Sequence, residues 1–279
     1  VPSEKRARQR AAREARLAAE ARSAKRRRQI RNGIIVVIVA GAIVGIAFLV
    51  SSNNNPVGKQ SSTSTTESSA AKTNAHLQAE ANAAAEKAGC PASPTTPANT
   101  QHYTAAPAMT IDTTKSYSAT VKTTTGTFVV GLDAQAAPKT VNNFVFLAEK
   151  GFFHCNSFFR VIPNFVNQTG NPAQTNANST TSGAAYTLPP ENLPATGTAG
   201  NPTYPAGSLA MATSSAGVSG SQFFIVAGSQ GEALPNSYPL FGLVTSGLHV
   251  VQTINQQGSS SGTPPDVTQR ILSVTIHES

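Results

Sequence analysis

Arg160 stands inside the apolar run "FFRVIPNFVNQTG", residues 158–170 of a 279-residue chain. After residue 31 the chain holds only one other arginine, Arg270. A guanidinium is always charged, planar and rich in N–H donors. Among apolar residues it needs a partner to offset the cost of leaving water. No acid stands near Arg160 in the run, so its placement calls for a substrate group that the guanidinium can meet.

Other familiar chemistry is poorly supported. "GSSSG", residues 258–262, formally fits G-x-S-x-G, but a nucleophile elbow needs an apolar strand before it and a helix after it. Here the flanks are "NQQ" and "TPPD". His154, His249 and His277 show no metal-ligand spacing. No glycine-rich loop opens a helix as a phosphate cradle would. The two cysteines, Cys90 and Cys155, form no CxxC, which argues against a thioredoxin-like motif or a zinc site. Neither a metal nor a cofactor is expected.

The elements that must hold Arg160 follow from periodicity. "SYSATVKT" and "TFVVGLD" alternate apolar and polar residues across a "TTG" turn, which predicts a hairpin. "APKTVNNFVFLAEKG" predicts a helix, with Pro138 in its first turn, Val141, Phe144, Val145 and Ala148 on one face, and Gly151 as its stop. Short strands follow in "SFFRVI", "GSLAMAT", "SQFFIVAG" and "YPLFGLV", separated by a polar loop over 169–207. "GLHVVQTINQQG" predicts a second helix, and "RILSVTIHE" a closing strand with Leu272, Val274 and Ile276 on one face. Many short strands, long loops and two helices predict a mainly β fold, a closed barrel capped by helices.

Together these segments resemble the cyclophilins. "FFRVIPNFVNQTG" is similar to the family's F-H-R-x-I-P-x-F-x-x-Q-x-G. "GSLAMAT" is similar to G-x-[LV]-[AS]-M-A-N, "GSQFFI" is identical to the family segment, and "YPLFGLV" is similar to [HY]-x-x-F-G-x-V. Each alone is a weak signal; four in order and at the right spacing are specific. The resemblance covers residues 115–279, about 60% of the chain. It implies an eight-stranded antiparallel barrel with two capping helices, and peptidyl-prolyl cis–trans isomerase activity on Xaa-Pro segments by a monomer.

The implied chemistry needs no covalent step. Rotation about the amide is opposed by about 18–20 kcal/mol of resonance. A donor fixed near the prolyl nitrogen favours the twisted amide over the planar one. By resemblance, Arg160 is that donor and belongs with Phe165 and Gln168 to the catalytic set. Phe165, Val166, Phe224 and Leu234 are expected to line the proline pocket. Gln168 is expected to bind the substrate backbone and orient Arg160. Ala212 and Gln222 flank the groove, and Tyr238 stands where the family has His or Tyr. Phe158 and Phe223 read as barrel core. Three departures stand out: Phe159 in place of histidine, Thr213 in place of a backbone-binding asparagine, and "GNPAQTNANSTTSGAAYT" in place of a glycine-rich loop. Thr213 and the altered loop leave a second reading open, a weakly active binding module for Pro-containing segments.

The net charge of +8 is segregated. Residues 1–32 hold twelve Lys/Arg and three Glu, while the remaining nine basic and ten acidic residues nearly cancel. The folded domain is therefore near neutral, which argues against nucleic-acid binding. The basic block is rich in helix formers. It reads as a solvated helix that sets topology, with RNA or anionic lipid as rival partners. Residues 33–50, "GIIVVIVAGAIVGIAFLV", carry no charge and match the short end of a membrane span. With the basic block before them, they predict a cytoplasmic N-terminus and an extracytoplasmic domain. A cleaved signal peptide is the rival reading, though its n- and h-regions would be unusually long. This anchored form resembles actinobacterial cyclophilins and implies a role in folding exported polypeptides. Residues 51–112 read as a low-complexity tether containing one short helix that ends at Gly89, and 113–279 as the domain. Outside the membrane, two cysteines predict one disulfide, Cys90–Cys155.

Overall fold

Alternation along the predicted hairpin is realised residue by residue. In β2 (Tyr117–Thr123), Tyr117, Ala119 and Val121 point inward, and in β3 (Thr127–Leu132), Phe128, Val130 and Leu132 do. The strands pair antiparallel with Val121 opposite Phe128. The computed structural model describes residues 69–174, 183–197 and 203–279. The expected basic segment and span, 1–32 and 33–50, lie outside the described residues. No helix among the described residues is long and apolar enough to cross a membrane.

Six further strands are β4 (Arg160–Ile162), β5 (Val166–Thr169), β8 (Ser208–Ser214), β9 (Gly217–Val226), β10 (Leu240–Ser246) and β11 (Ile271–Glu278). With the hairpin they bond in the order β11-β2-β3-β10-β8-β9-β5-β4. All neighbours in the row are antiparallel. β7 (Thr187–Leu188) adds to β9, and β1 (His102–Tyr103) pairs in parallel with β6 (Gly183–Ala184) as a separate ribbon. The expected closed ladder is not continuous. β4 and β11 meet only through the chain just before each of them, at the bridge between Ser157 and Arg270. Cys155 N–H donates to Ile271 O, Ile271 N–H to Asn156 O, and Phe158 N–H to Gln269 O. Strands of three and four residues at this edge are too short to carry a longer seam.

Two helices pack on the sheet as expected, α2 (Pro138–Glu149) and α4 (Leu248–Gln256). Two more are present among the described residues: α1 (Ser69–Lys87) and the single turn α3 (Ser229–Glu232). Val141, Phe144, Val145 and Ala148 are buried on α2, as the periodicity requires. Phe144 centres an aromatic cluster, with ring centroids 5.1 Å from Phe153, 5.6 Å from Phe223 and 5.4 Å from Phe241. Phe158 and Phe223 are core residues, at 0% and 3% exposure.

The tether expectation needs correction. Residues 69–112 are tied to the domain at Gln78, Asn82, Ala98, Asn99 and Tyr103, so the folded unit begins well before residue 113. The helix is longer than expected, and its own Ala81 and Ala85 are buried. Its attachment is mostly polar, which hydrophobic periodicity cannot register. The Gln78 amide accepts from Thr268 N–H and donates to Thr268 O, and Arg270 donates to Asn82 Oδ1 and Pro91 O.

The expected disulfide is present, joining Cys90 to Cys155 across a sequence separation of 65. In the chain-entropy account a loop of that length stabilises by up to about 4 kcal/mol. Replacing both cysteines with serine is therefore expected to lower unfolding free energy by about 2–4 kcal/mol in urea titration. Peptide mapping without reductant should recover the cross-linked pair; free thiols in the isolated protein would contradict the bond.

Candidate active site

Arg160 opens β4, and its register partner on β5 is Gln168, whose own partner on β9 is Phe224. Three antiparallel strands thus carry the arginine, the amide and the phenylalanine across one face. Arg160 Nη1–H donates to Gln168 Oε1 at 3.1 Å, and Gln168 Nε2–H donates to Gln222 Oε1 at 3.1 Å. This relay leaves the amides in one orientation and aims the guanidinium. The Arg160 guanidinium carbon lies 5.9 Å from the Phe165 ring centroid, within cation–π range.

Glycines make the approach of these segments possible. A Cβ on Gly170, just after β5, would lie 2.2 Å from Ser221 O, and the residue has φ +88°. Gly262 at φ +77° accepts from Val161 N–H, and a Cβ there would press on Ile162. The "GSSSG" stretch is thus a loop laid along β4 after α4, with no strand before it. This removes the nucleophile-elbow geometry.

Below the guanidinium is a second apolar cluster, separate from the main core. It comprises Val166, Ala210, Phe224, Val226 and Tyr204, with Phe165, Leu234, Tyr238 and Leu240 packed against it. Phe224 and Tyr238 meet edge to face at 5.2 Å. Sequence reasoning placed Tyr204 in a loop and missed it. It is 0% exposed, donates its hydroxyl proton to Tyr238 O at 2.9 Å and accepts from Tyr238 N–H at 3.0 Å. These bonds fix the pocket wall that carries Tyr238. No periodic signal marks Tyr204, because it lies on irregular chain.

One groove of about 590 Å³ unites the predicted residues: Arg160, Phe165, Val166, Gln168, Ala212, Thr213, Gln222, Phe224, Leu234 and Tyr238 all line it. Its other half is formed by Gly183–Thr187 and the turn between β8 and β9. Thr213 is exposed there. Phe159, the departure beside Arg160, is buried at 3% exposure. Of the altered loop, residues 175–182 lie outside the described residues, while 170–174 and 183–187 are described.

Burial draws the Arg160 pKa below its usual value, opposed by the nearby Tyr238 phenol. A guanidinium so far above neutrality stays charged. Burial also pushes the phenol of Tyr186, in the groove wall, up to about 12, so it is neutral at physiological pH. Among the described residues the His/Cys/acid cluster with metal-like spacing is Cys90, His154 and Cys155. Its sulfurs are bonded to each other, and it lies outside the groove.

Several known proteins are similar to this chain. The family described as cyclophilin type peptidyl-prolyl cis-trans isomerase/CLD matches residues 118–276. Peptidyl-prolyl cis-trans isomerase B of Bacillus subtilis is 43% identical over 122 residues, covering 43% of this chain and 78% of its own. Peptidyl-prolyl cis-trans isomerase-like 1 of Aspergillus niger is 37% identical over 159 residues, covering 56% of this chain and 92% of its own. A solved structure of a Cryptosporidium parvum cyclophilin type peptidyl-prolyl cis-trans isomerase has a TM-score of 0.47 and 24% identity, covering 58% of this chain and 98% of its own. The chain belongs to the cyclophilin-type peptidyl-prolyl cis–trans isomerases. Its reaction is therefore rotation about an Xaa-Pro peptide bond.

Proposed function

We propose that the groove binds Xaa-Pro segments with the proline ring on Phe165, Val166, Phe224 and Leu234, and that Arg160 lowers the rotation barrier. The observation that carries this reading is a guanidinium held by Gln168 at the rim of an apolar cluster. Among the described residues, no acid forms an ion pair with it. As the amide twists, its nitrogen becomes pyramidal and basic. An N–H donor fixed beside it then gains more with the twisted state than with either planar state, so the barrier falls. Gln168 accepts one hydrogen bond from Arg160 and leaves other guanidinium donors for the substrate. The reaction needs no metal, cofactor or covalent intermediate, and Arg160 changes no protonation state. Exchange spectroscopy on an Ala-Pro peptide should show cis–trans exchange accelerated by catalytic amounts of the protein. Binding without acceleration would favour the binding-module reading, to which Thr213 and the altered loop point.

Clients are proposed to be exported polypeptides, met at the outer face of a membrane by a domain anchored through residues 33–50. The charge step from the basic block to an uncharged 18-residue apolar run supports this. Protease added to intact spheroplasts is expected to remove the isomerase domain and leave a short membrane-held stub. Protection of the whole chain would refute the topology.

A further inference from the structure

The family match begins at residue 118, yet the chain ahead of it reaches the groove. β1 runs parallel to β6, with His102 opposite Gly183 and Tyr103 opposite Ala184. Gly183 N–H donates to Gln101 O at 3.0 Å and Ala185 N–H to Tyr103 O at 2.8 Å. Ala98 N–H donates to Pro172 O at 2.8 Å, beside the groove residue Asn171. Gly183, Ala184 and Ala185 all line the groove, so the backbone that β1 holds is the groove wall itself.

The strand is anchored to α2 and the chain that follows it. The Tyr103 ring packs 5.3 Å from Phe146 and 6.1 Å from Phe152, and its hydroxyl donates to Gln101 Oε1. Asn99 Nδ2–H donates to Phe152 O at 2.9 Å, and Gln101 Nε2–H to Lys150 O at 3.0 Å. Upstream, the Cys90–Cys155 disulfide fixes the start of the same segment. On its other side the wall is pressed against β9. A Cβ on Gly220 would lie 2.8 Å from both Ala184 Cβ and Tyr186 Cε2. The Tyr186 hydroxyl donates to Asn143, and Asn143 Nδ2–H donates to Gly220 O.

We propose that residues 98–103 are a positioning strand for the groove wall 183–187, and that this segment ahead of the family domain sets how the enzyme accepts peptide residues outside the proline ring. The strand touches neither the proline cluster nor Arg160, so its influence falls on substrate binding rather than on the rotation step. Without β1, two wall amides lose their acceptors and the wall is held from one side only. This inference rests on the proposed use of the groove by Xaa-Pro peptides.

The test uses the full chain and three variants. Tyr103→Gly removes the ring that anchors β1, Asn99→Ala removes a milder anchor, and Tyr103→Phe restores the packing. Backbone amide exchange at Gly183 and Ala185 reads the strand directly. For Tyr103→Gly, exchange there should speed at least ~10-fold, and KM for peptides of six or more residues should rise roughly 3- to 10-fold with kcat within about twofold. Turnover of a minimal Ala-Pro peptide should stay unchanged. Asn99→Ala should move exchange and KM in the same direction by less, and it covers the case in which Tyr103→Gly fails to fold. Tyr103→Phe should return both to wild type. Faster exchange with unchanged KM would overturn the proposal, and so would unchanged exchange in both loosened variants. Failure of the groove reading would look different: wild type would not accelerate the minimal peptide at all, while the exchange response at Gly183 and Ala185 would persist.

Discussion

Replacing Arg160 with alanine is expected to lower kcat/KM by roughly 30- to 1000-fold while peptide affinity falls much less. That range corresponds to about 2–4 kcal/mol for a charge-assisted contact made mainly in the transition state. Arg160→Lys should rescue little. An ammonium is a point charge on a flexible stem, whereas the observed contact uses one arm of a planar fork on Gln168, and the proposed mechanism needs the others for substrate. Phe224→Ala should behave differently. It removes pocket surface that planar and twisted prolines use alike, so KM should rise with a smaller change in kcat. Isomerisation rates and peptide affinities for the same three variants separate these effects. If Arg160→Ala changed affinity and turnover equally, the guanidinium would be a binding group and the proposed mechanism would fail.

The residues that line the Arg160 groove were reached through the resemblance of their segments to one family, not through periodicity. Alternate residues of a strand share a face, which is how Val166 and Gln168 on β5, and Gln222 and Phe224 on β9, come together. Each of these residues lines the groove. What the sequence hid has two physical causes. Irregular chain carries no period, so Tyr204 gave no sign that it braces Tyr238. Polar attachment carries no hydrophobic signal, so α1 and β1 read as a tether although Gln78, Asn82, Asn99 and Gln101 tie them down. The closing strand kept its period: Leu272, Val274 and Ile276, expected on one face, alternate with exposed Ser273, Thr275 and His277. Val274 and Ile276 pack against the main core and Leu272 against the disulfide, while a register shift between Ile271 and Ser273 adds the buried Ile271 ahead of them.

The second arginine after residue 31 shows why the tether reading failed, and its replacement should affect stability rather than turnover. Arg270 is 1% exposed and sits at the seam, paired with Ser157. Its guanidinium donates to Pro91 O and Asn82 Oδ1, with Ala92 O at 3.5 Å, so one side chain gathers the end of α1 and the chain beyond it. Burial lowers its pKa, and the charge of Glu86 raises it. Arg270→Ala leaves Pro91 O without this donor and Asn82 Oδ1 with the Gln78 amide alone, and is expected to cost about 2–4 kcal/mol in urea unfolding. Arg270→Met separates bonding from bulk. If the arginine acts by anchoring, methionine should be nearly as destabilising as alanine, because the carbonyls stay unpaired. If it acts by filling space, methionine should recover most of the loss, as replacement of buried charges by apolar groups often does. Limited proteolysis between residues 91 and 98 should quicken in both variants under the anchoring account, while kcat on the minimal peptide stays near wild type below the unfolding transition. Full stability in Arg270→Met would show that packing, not the guanidinium, holds the N-terminal segment on the sheet.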